Sequence, residues 1–240
     1  ITNGAPVIVL INGGSASASE IFAGAIQDYE RGIVLCQQTF GKGTVQNLLR
    51  LDAYAKKPVN GQLTVTIGKF YRVTGESTQL RGVAPDVPLA SLIDLKDVGE
   101  SALDEALPWD RIPGVPFRAA PGEGVMPAVL ANEEGTRAAA DPDYRWLVAD
   151  IAAVQEARKQ TGVSLNLKAR LEERNAIDHD RLARENKRRA ALGQAALKSV
   201  EDIKNDDAPD IVLNQATEVM ADMVGGSAGA LTPKTVSRTP

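Results

Sequence analysis

Histidine is almost absent from this chain: 240 residues hold one, His179, in a densely charged segment. A hydrolase that relies on an imidazole base has little to work with here. No cluster of side chains has metal-ligand spacing, so no metal and no other cofactor is expected. His179 itself reads as a surface residue. Cysteine is equally scarce. Cys36 stands alone, which excludes an internal disulfide, and its setting in "GIVLC" suits a buried small hydrophobe. No apolar run reaches the roughly 20 residues that span a bilayer, so no transmembrane segment is expected. Positive charge is not in excess: 27 Lys and Arg face 31 Asp and Glu, for a net charge of −4. A protein that grips nucleic acid through phosphate contacts is normally basic, so that class is set aside. An initiator methionine and a signal peptide are also missing. The opening "ITNGAPVIVLING" heads straight into a strand, and the chain reads as a piece of a longer protein.

What is present is ordinary globular composition, 43% apolar and 24% charged, enough for one large core or two smaller ones. The first hundred residues read as α/β. "PVIVLI" (6–11) is a continuous apolar run of the kind covered on both faces. Residues 17–30 are helical, with Phe22, Ala25, Ile26 and Tyr29 at i, i+3, i+4, i+7. "GIVLC" (32–36) supplies a second buried strand, and the three make a parallel, right-handed β-α-β unit. "TFGKGT" (39–44) is a glycine-flanked turn. "VQNLLRL" (45–51) and "QLTVTIGKFYRV" (62–73) are strands, the latter alternating through Leu63, Val65 and Ile67. "TGES" (74–77) is a turn, and "LRGVAPDVPL" (80–89) an extended exit.

Proline and glycine crowd residues 108–127, a linker or domain edge. Beyond it the chain reads as helical. Asp143 is placed to cap a helix whose stripe is Tyr144, Leu147, Val148, Ile151 and Val154. Residues 165–192 pair Asp180 with Arg184 and Glu185 with Arg189 at i, i+4. Asp210 starts a last helix carrying Val212, Ala216, Val219 and Met223. The small, polar stretch 225–240 reads as disordered. Two domains and a tail follow: 1–112, 113–224 and the tail 225–240.

The chemistry concentrates in "GGSASASEIFAGAIQDY" (13–29), where Ser15, Ser17 and Ser19 lie at a helix entrance. A serine becomes a nucleophile only beside a base. Without histidine, the plausible base is a lysine whose amine burial keeps neutral. Lys42 lies between two glycines immediately after the second buried strand. In a parallel β-α-β unit that loop opens on the same sheet edge as the loop before the helix, so Lys42 and the serines can meet. Ser17-Ala18-Ser19-Glu20 also fits a capping box, with Ser17 as N-cap and Glu20 at N3. The two roles share a place, because a helix N-terminus offers unbonded N–H groups to an oxyanion. Asp28, about three turns on, is too far along to touch Ser17. On spacing alone it is a surface residue or a structural hydrogen-bonder.

These segments, with "TFGKGTVQ", "GKFYRVTGESTQLRGVAPDV" (68–87) and "ALPWD" (106–110), resemble the tail-specific, or C-terminal processing, proteases. They are similar to the long periplasmic branch of that family in Gram-negative bacteria. The resemblance covers residues 6–112; the helical remainder is similar to that branch's C-terminal extension in general character only. It implies a crotonase-like α/β protease core followed by a mostly helical domain. It also implies a serine endopeptidase with Ser17 as nucleophile and Lys42 as general base. Gln46 would position Lys42, Ala18 would lend its backbone N–H to the oxyanion hole, and Asp28 would support activity. Ser15 and Ser19 would be structural. The implied substrates are proteins with apolar C-terminal tails, and the implied compartment is the periplasm. The family's PDZ domain and the N-terminal part of its protease core are not in this sequence. The 240 residues by themselves are therefore expected to be nearly inactive, with the missing segments as partners.

Two other classes remain. Residues 128–224 could form a non-catalytic docking module through apolar stripes. A crotonase-type enzyme would need an acyl-CoA site, and no basic or glycine-rich segment suits one.

Overall fold

The computed structural model describes residues 4–54, 57, 60–119, 126–203 and 209–225. The tail expected at 225–240 therefore lies outside the described residues except for Gly225, which ends a helix. The chain forms two compact units, one of residues 1–88 and 93–127, the other of 89–92 and 128–225.

The first unit opens with the β-α-β arrangement. Strand β1 (Ile8–Ile11) leads into helix α1 (Ala18–Asp28) and strand β2 (Ile33–Cys36). β1 and β2 pair in parallel with Ile11 beside Cys36, and the two-residue β5 (Val87–Pro88) flanks β2 on its other side. β2 is the central strand, and all four of its residues are buried. β1 does not meet the expectation of a strand covered on both faces. Among the described residues it pairs only with β2, and Leu10 stays 44% exposed. Ile11, Ala23, Val34 and Val83 form the core, with Val9 and Ile26 packed against it. Cys36 is buried at the end of β2, as a small hydrophobe should be.

Strands β3 (Thr44–Arg50) and β4 (Gln62–Lys69) form a separate antiparallel ribbon. β4 stops four residues short of the run expected from its alternation. Phe70 to Ser77 then makes a tight turn, with Gly75 at φ 86 and its N–H on the Arg72 carbonyl. A side chain at Gly75 would collide with the Ile112 carbonyl. That close approach shows what the Pro/Gly-rich stretch does. Trp109 Nε1 donates to Ser77 O at 2.8 Å, Ile112 N to Gly75 O at 2.8 Å and Val115 N to Val73 O at 2.9 Å. Residues 109–115 are stitched onto the turn after β4, and the boundary expected at 112/113 falls inside this docked segment. The first unit also holds the short α2 (Leu95–Val98) and a 3-10 turn, Glu100–Ala102.

The second unit is helical: α3 (Pro127–Ala140), α4 (Pro142–Arg158), α5 (Leu167–Ala191) and α6 (Ile211–Gly225). Asp210 caps α6 through the Leu213 N–H, and Ala216, Val219 and Met223 are buried as the stripe requires. The cap of α4 is Asp141, not Asp143. Pro142 fixes the first helical residue, which moves the cap one place before it. Asp143 is left to meet Arg188 at 2.5 Å. The i, i+4 pairs expected on α5 also give way. Arg184 reaches Asp150 on α4 at 3.0 Å, and Glu185 takes Arg188 at 2.8 Å. For Arg184 a part-buried partner on a neighbouring helix outcompetes an exposed one on its own, while Glu185 exchanges one partner on α5 for another. His179 is exposed at the surface.

Candidate active site

Ser17 precedes the first residue of α1 and has φ 54° and ψ −111°, a conformation that non-glycine residues rarely adopt. Such strain persists only where the surroundings over-determine it. Here they do. The Ser17 carbonyl accepts from Glu20 N at 2.9 Å and Ile21 N at 3.1 Å, and its N–H donates to Glu20 Oε2 at 2.8 Å. The Glu20 half of the expected capping box is thus in place.

Glu20 does more than cap. It is 1% exposed, and its carboxyl accepts four hydrogen bonds. Oε1 takes the Thr39 hydroxyl at 2.6 Å and the Gly41 N–H at 2.7 Å. Oε2 takes the Ser17 N–H and the Lys42 N–H, each at 2.8 Å. One oxygen atom therefore gathers the backbones of the serine and the lysine. Thr39 adds a further tie, since its Oγ1 accepts from Val83 N at 2.7 Å. The Phe40 N–H donates to Ser15 O at 2.9 Å, and Leu80 N to Gly41 O at 2.8 Å. Gly41 has φ 96°, and a Cβ there would press on the Leu80–Gly82 backbone, so glycine is required.

Lys42 is half-buried, and its Nζ donates to Gln46 Oε1 at 2.9 Å. Gln46 stands in β3 just after a register shift between Val45 and Gln46. Such irregularities re-aim side chains next to functional sites. Ala18 is exposed and is the first residue of α1, where helix geometry leaves the N–H without an intrahelical acceptor. Ser15 has a structural part: its Oγ accepts from Asn12 N at 3.2 Å.

Asp28 is not brought to this site. It lies at the other end of α1, about 16 Å away at 1.5 Å per residue. Its carboxyl is occupied by Arg72, whose Nη2 reaches Oδ1 at 2.6 Å and whose Nε reaches Oδ2 at 3.0 Å. Arg72 also donates to Gln27 Oε1 at 3.2 Å, and Gln27 in turn donates to Asp86 at 3.0 Å. Burial pushes the Asp86 carboxyl above its ordinary pKa, against the pull of bonds from Val34 N–H and Gln27. This second cluster clamps α1 to β2 and to the turn after β4.

The structure has Ser17 at the entrance of α1, Lys42 in the glycine turn and Glu20 in its capping position, as the sequence placed them. Sequence reasoning did not find Thr39, Arg72 or Gln79, which is wholly buried. Each is a single polar residue whose partner is remote in sequence, and no local pattern marks it.

Residues 1–89 match the peptidase family S41, and residues 93–225 match the C-terminal domain of tail specific protease. A tail-specific protease of Haemophilus influenzae is 41% identical over 225 residues, 91% of this chain and 32% of that protein. A carboxy-terminal-processing protease of Bartonella bacilliformis is 47% identical over 87 residues, 36% of this chain and 19% of its own. A chloroplastic C-terminal processing peptidase of Tetradesmus obliquus is 37% identical over 89 residues, 37% of this chain and 18% of its own. The chain spans a third or less of the length of these relatives. It belongs to the tail-specific proteases, with part of a family S41 peptidase core in its first 89 residues and their C-terminal domain in residues 93–225.

Proposed function

We propose that the protein is a serine endopeptidase in which Ser17 is the nucleophile and Lys42 the general base. The observation that carries this reading is the shared Glu20 oxygen, which draws both backbones to one point. The Lys42 amine takes the Ser17 hydroxyl proton as Oγ attacks a peptide carbonyl. Ala18 N–H, at the positive end of α1, receives the developing oxyanion. The Lys42 ammonium then protonates the leaving amine, and water hydrolyses the acyl-enzyme. Gln46 holds the amine in place through its side-chain oxygen. Asp28 supports the site by locking α1 to Arg72 and takes no part in proton transfer. The substrates are proteins with apolar C-terminal tails, cut in the periplasm, and segments preceding this chain in its relatives supply the rest of the groove. No helix among the described residues is long and apolar enough to cross a membrane.

The test is cleavage of an unfolded protein, β-casein, by the protein as its gene encodes it. Ser17→Ala and Lys42→Ala should each reduce kcat by roughly 10³-fold or more. Turnover by either variant at the parent rate would remove the dyad.

A further inference from the structure

The turn that carries Lys42 is gripped from a second side, by residues that no motif marks. Gly43, the next residue, donates its N–H to Gln79 Oε1 at 2.9 Å. Gln79 is 0% exposed, and its Nε2 donates to Glu100 Oε1 at 2.9 Å. Glu100 is itself buried, at 7% exposure. Its own N–H donates to the Phe40 carbonyl at 2.9 Å. Glu100 therefore binds the turn at both ends, directly at Phe40 and through Gln79 at Gly43. The fit is close: a Cβ on Gly43 would meet Gln79 N at 2.7 Å and Ser77 Oγ at 2.8 Å. The Gly43 carbonyl accepts from Phe70 N at 3.1 Å, which completes the enclosure.

Glu100 lies beyond the residues that match the peptidase core and inside those that match the C-terminal domain. We infer that Gln79 and Glu100 form a buried positioning relay, through which the segment after the peptidase core sets the backbone of the lysine turn. The inference rests on the Ser17/Lys42 reading of the site. Gln79 passes on the geometry: its amide can accept from Gly43 and donate to Glu100 only in one orientation. Glu100 fixes that orientation because a carboxyl oxygen accepts. Glu20 holds Gly41 and Lys42 from the helix that precedes the turn, and the relay holds Phe40 and Gly43 from the segment that follows it. With one grip released, the Lys42 amine loses its alignment to the Ser17 hydroxyl. Misplacement of about 1 Å costs on the order of 10²-fold in rate.

The experiment compares Gln79→Ala, Glu100→Ala and Glu100→Gln in the protein as its gene encodes it. The readouts are kcat, KM and the pH profile of kcat on β-casein, with Ser17→Ala and Lys42→Ala assayed beside them. Gln79→Ala should lower kcat by roughly 10- to 100-fold, leave KM within about twofold and shift the alkaline-rising limb of the profile. Glu100→Ala should do the same more weakly. Glu100→Gln keeps an oxygen acceptor for Gln79 and should restore most of the rate and the parental limb. Thermal melts accompany each variant, and Glu100→Ala serves if Gln79→Ala does not fold. Inactive Ser17→Ala and Lys42→Ala beside a parental kcat and pH limb in Glu100→Ala would overturn the relay alone. So would Glu100→Gln failing as badly as Glu100→Ala. Active Ser17→Ala and Lys42→Ala would instead overturn the dyad, and the relay with it.

Discussion

Two buried glutamates, Glu20 and Glu134, show how differently the two units use a carboxyl. Both are 1% exposed. Glu20 accepts from three backbone N–H groups and one hydroxyl, so both its oxygens are satisfied by groups that need an acceptor in any case. Glu134, on α3, instead meets Arg137 at 2.8 Å, and its Oε1 has no partner among the described residues. Arg137 is shared with Asp222, at 2.7 Å, and with Glu218. Burial pushes the Glu134 carboxyl above its ordinary pKa, with Asp222 and Asp141 adding to the rise against the pull of Arg137. A carboxyl that organises backbone can specify geometry. One that competes for a shared guanidinium holds helices together less economically, because desolvation works against it. The first kind stands beside the proposed Ser17/Lys42 pair, the second where helices meet.

The sharpest way to break the comparison is Glu20→Ala. It leaves four donors without their acceptor and frees Ser17 to relax from its positive φ. Activity on β-casein should fall by about 10²-fold or more, with amide exchange at Gly41 and Lys42 accelerating. Parental activity would show that the shared oxygen does not matter to the chemistry.

A smaller but purely structural loss is expected at Arg72. Arg72→Ala strands the Asp28 carboxyl, whose side chain is 6% exposed, and should cost about 3–5 kcal/mol. Urea unfolding followed through Trp109, with Trp146 replaced by Phe, reads this in the first unit. The apolar pair Asp28→Leu with Arg72→Met should recover most of that stability. A direct part for Asp28 in proton transfer would instead make that stable double variant inactive.

The mildest effect has the opposite sign. Because the folded chain binds a proton on Glu134 more tightly than the unfolded chain does, stability falls as pH rises from the ordinary glutamate value through the raised folded one. Glu134→Gln removes that loss. It should be more stable than the parent at pH 7, and the difference should vanish below the ordinary glutamate value of 4.5. Urea midpoints at pH 7 and pH 4 test this. A variant less stable at both would mean that the ion pair with Arg137 outweighs the desolvation of Glu134.

Much of this was legible in advance where the signal is local. The apolar runs of β1 and β2, the 3.6-residue stripe of α6 and the capping spacing of Ser17 and Glu20 all depend on neighbours within a few residues. The same local reading misjudged β1, because what covers a strand's faces is set by packing remote in sequence, and misplaced the α4 cap by ignoring Pro142. It paired Arg184 within its own helix, although Asp150 on α4 offers a less solvated partner. For the site, sequence pointed to Ser17, Lys42 and Gln46. It could not separate Asp28's two roles, because the answer lies in Arg72, 44 residues away.

Sequence by itself determined the chemical stock of this chain: a serine at a helix entrance, a lysine between two glycines, and a single histidine, His179, in a charged helix. It also determined the order of strand, helix and strand that puts their loops at one sheet edge, since chirality and period leave few alternatives. Tertiary structure alone decided what holds the lysine turn. The Glu20 carboxyl and the Gln79–Glu100 relay act across 21 or more residues. Hydrogen bonds of that span form only after the core has closed and shut water out, and no local pattern in the chain encodes them.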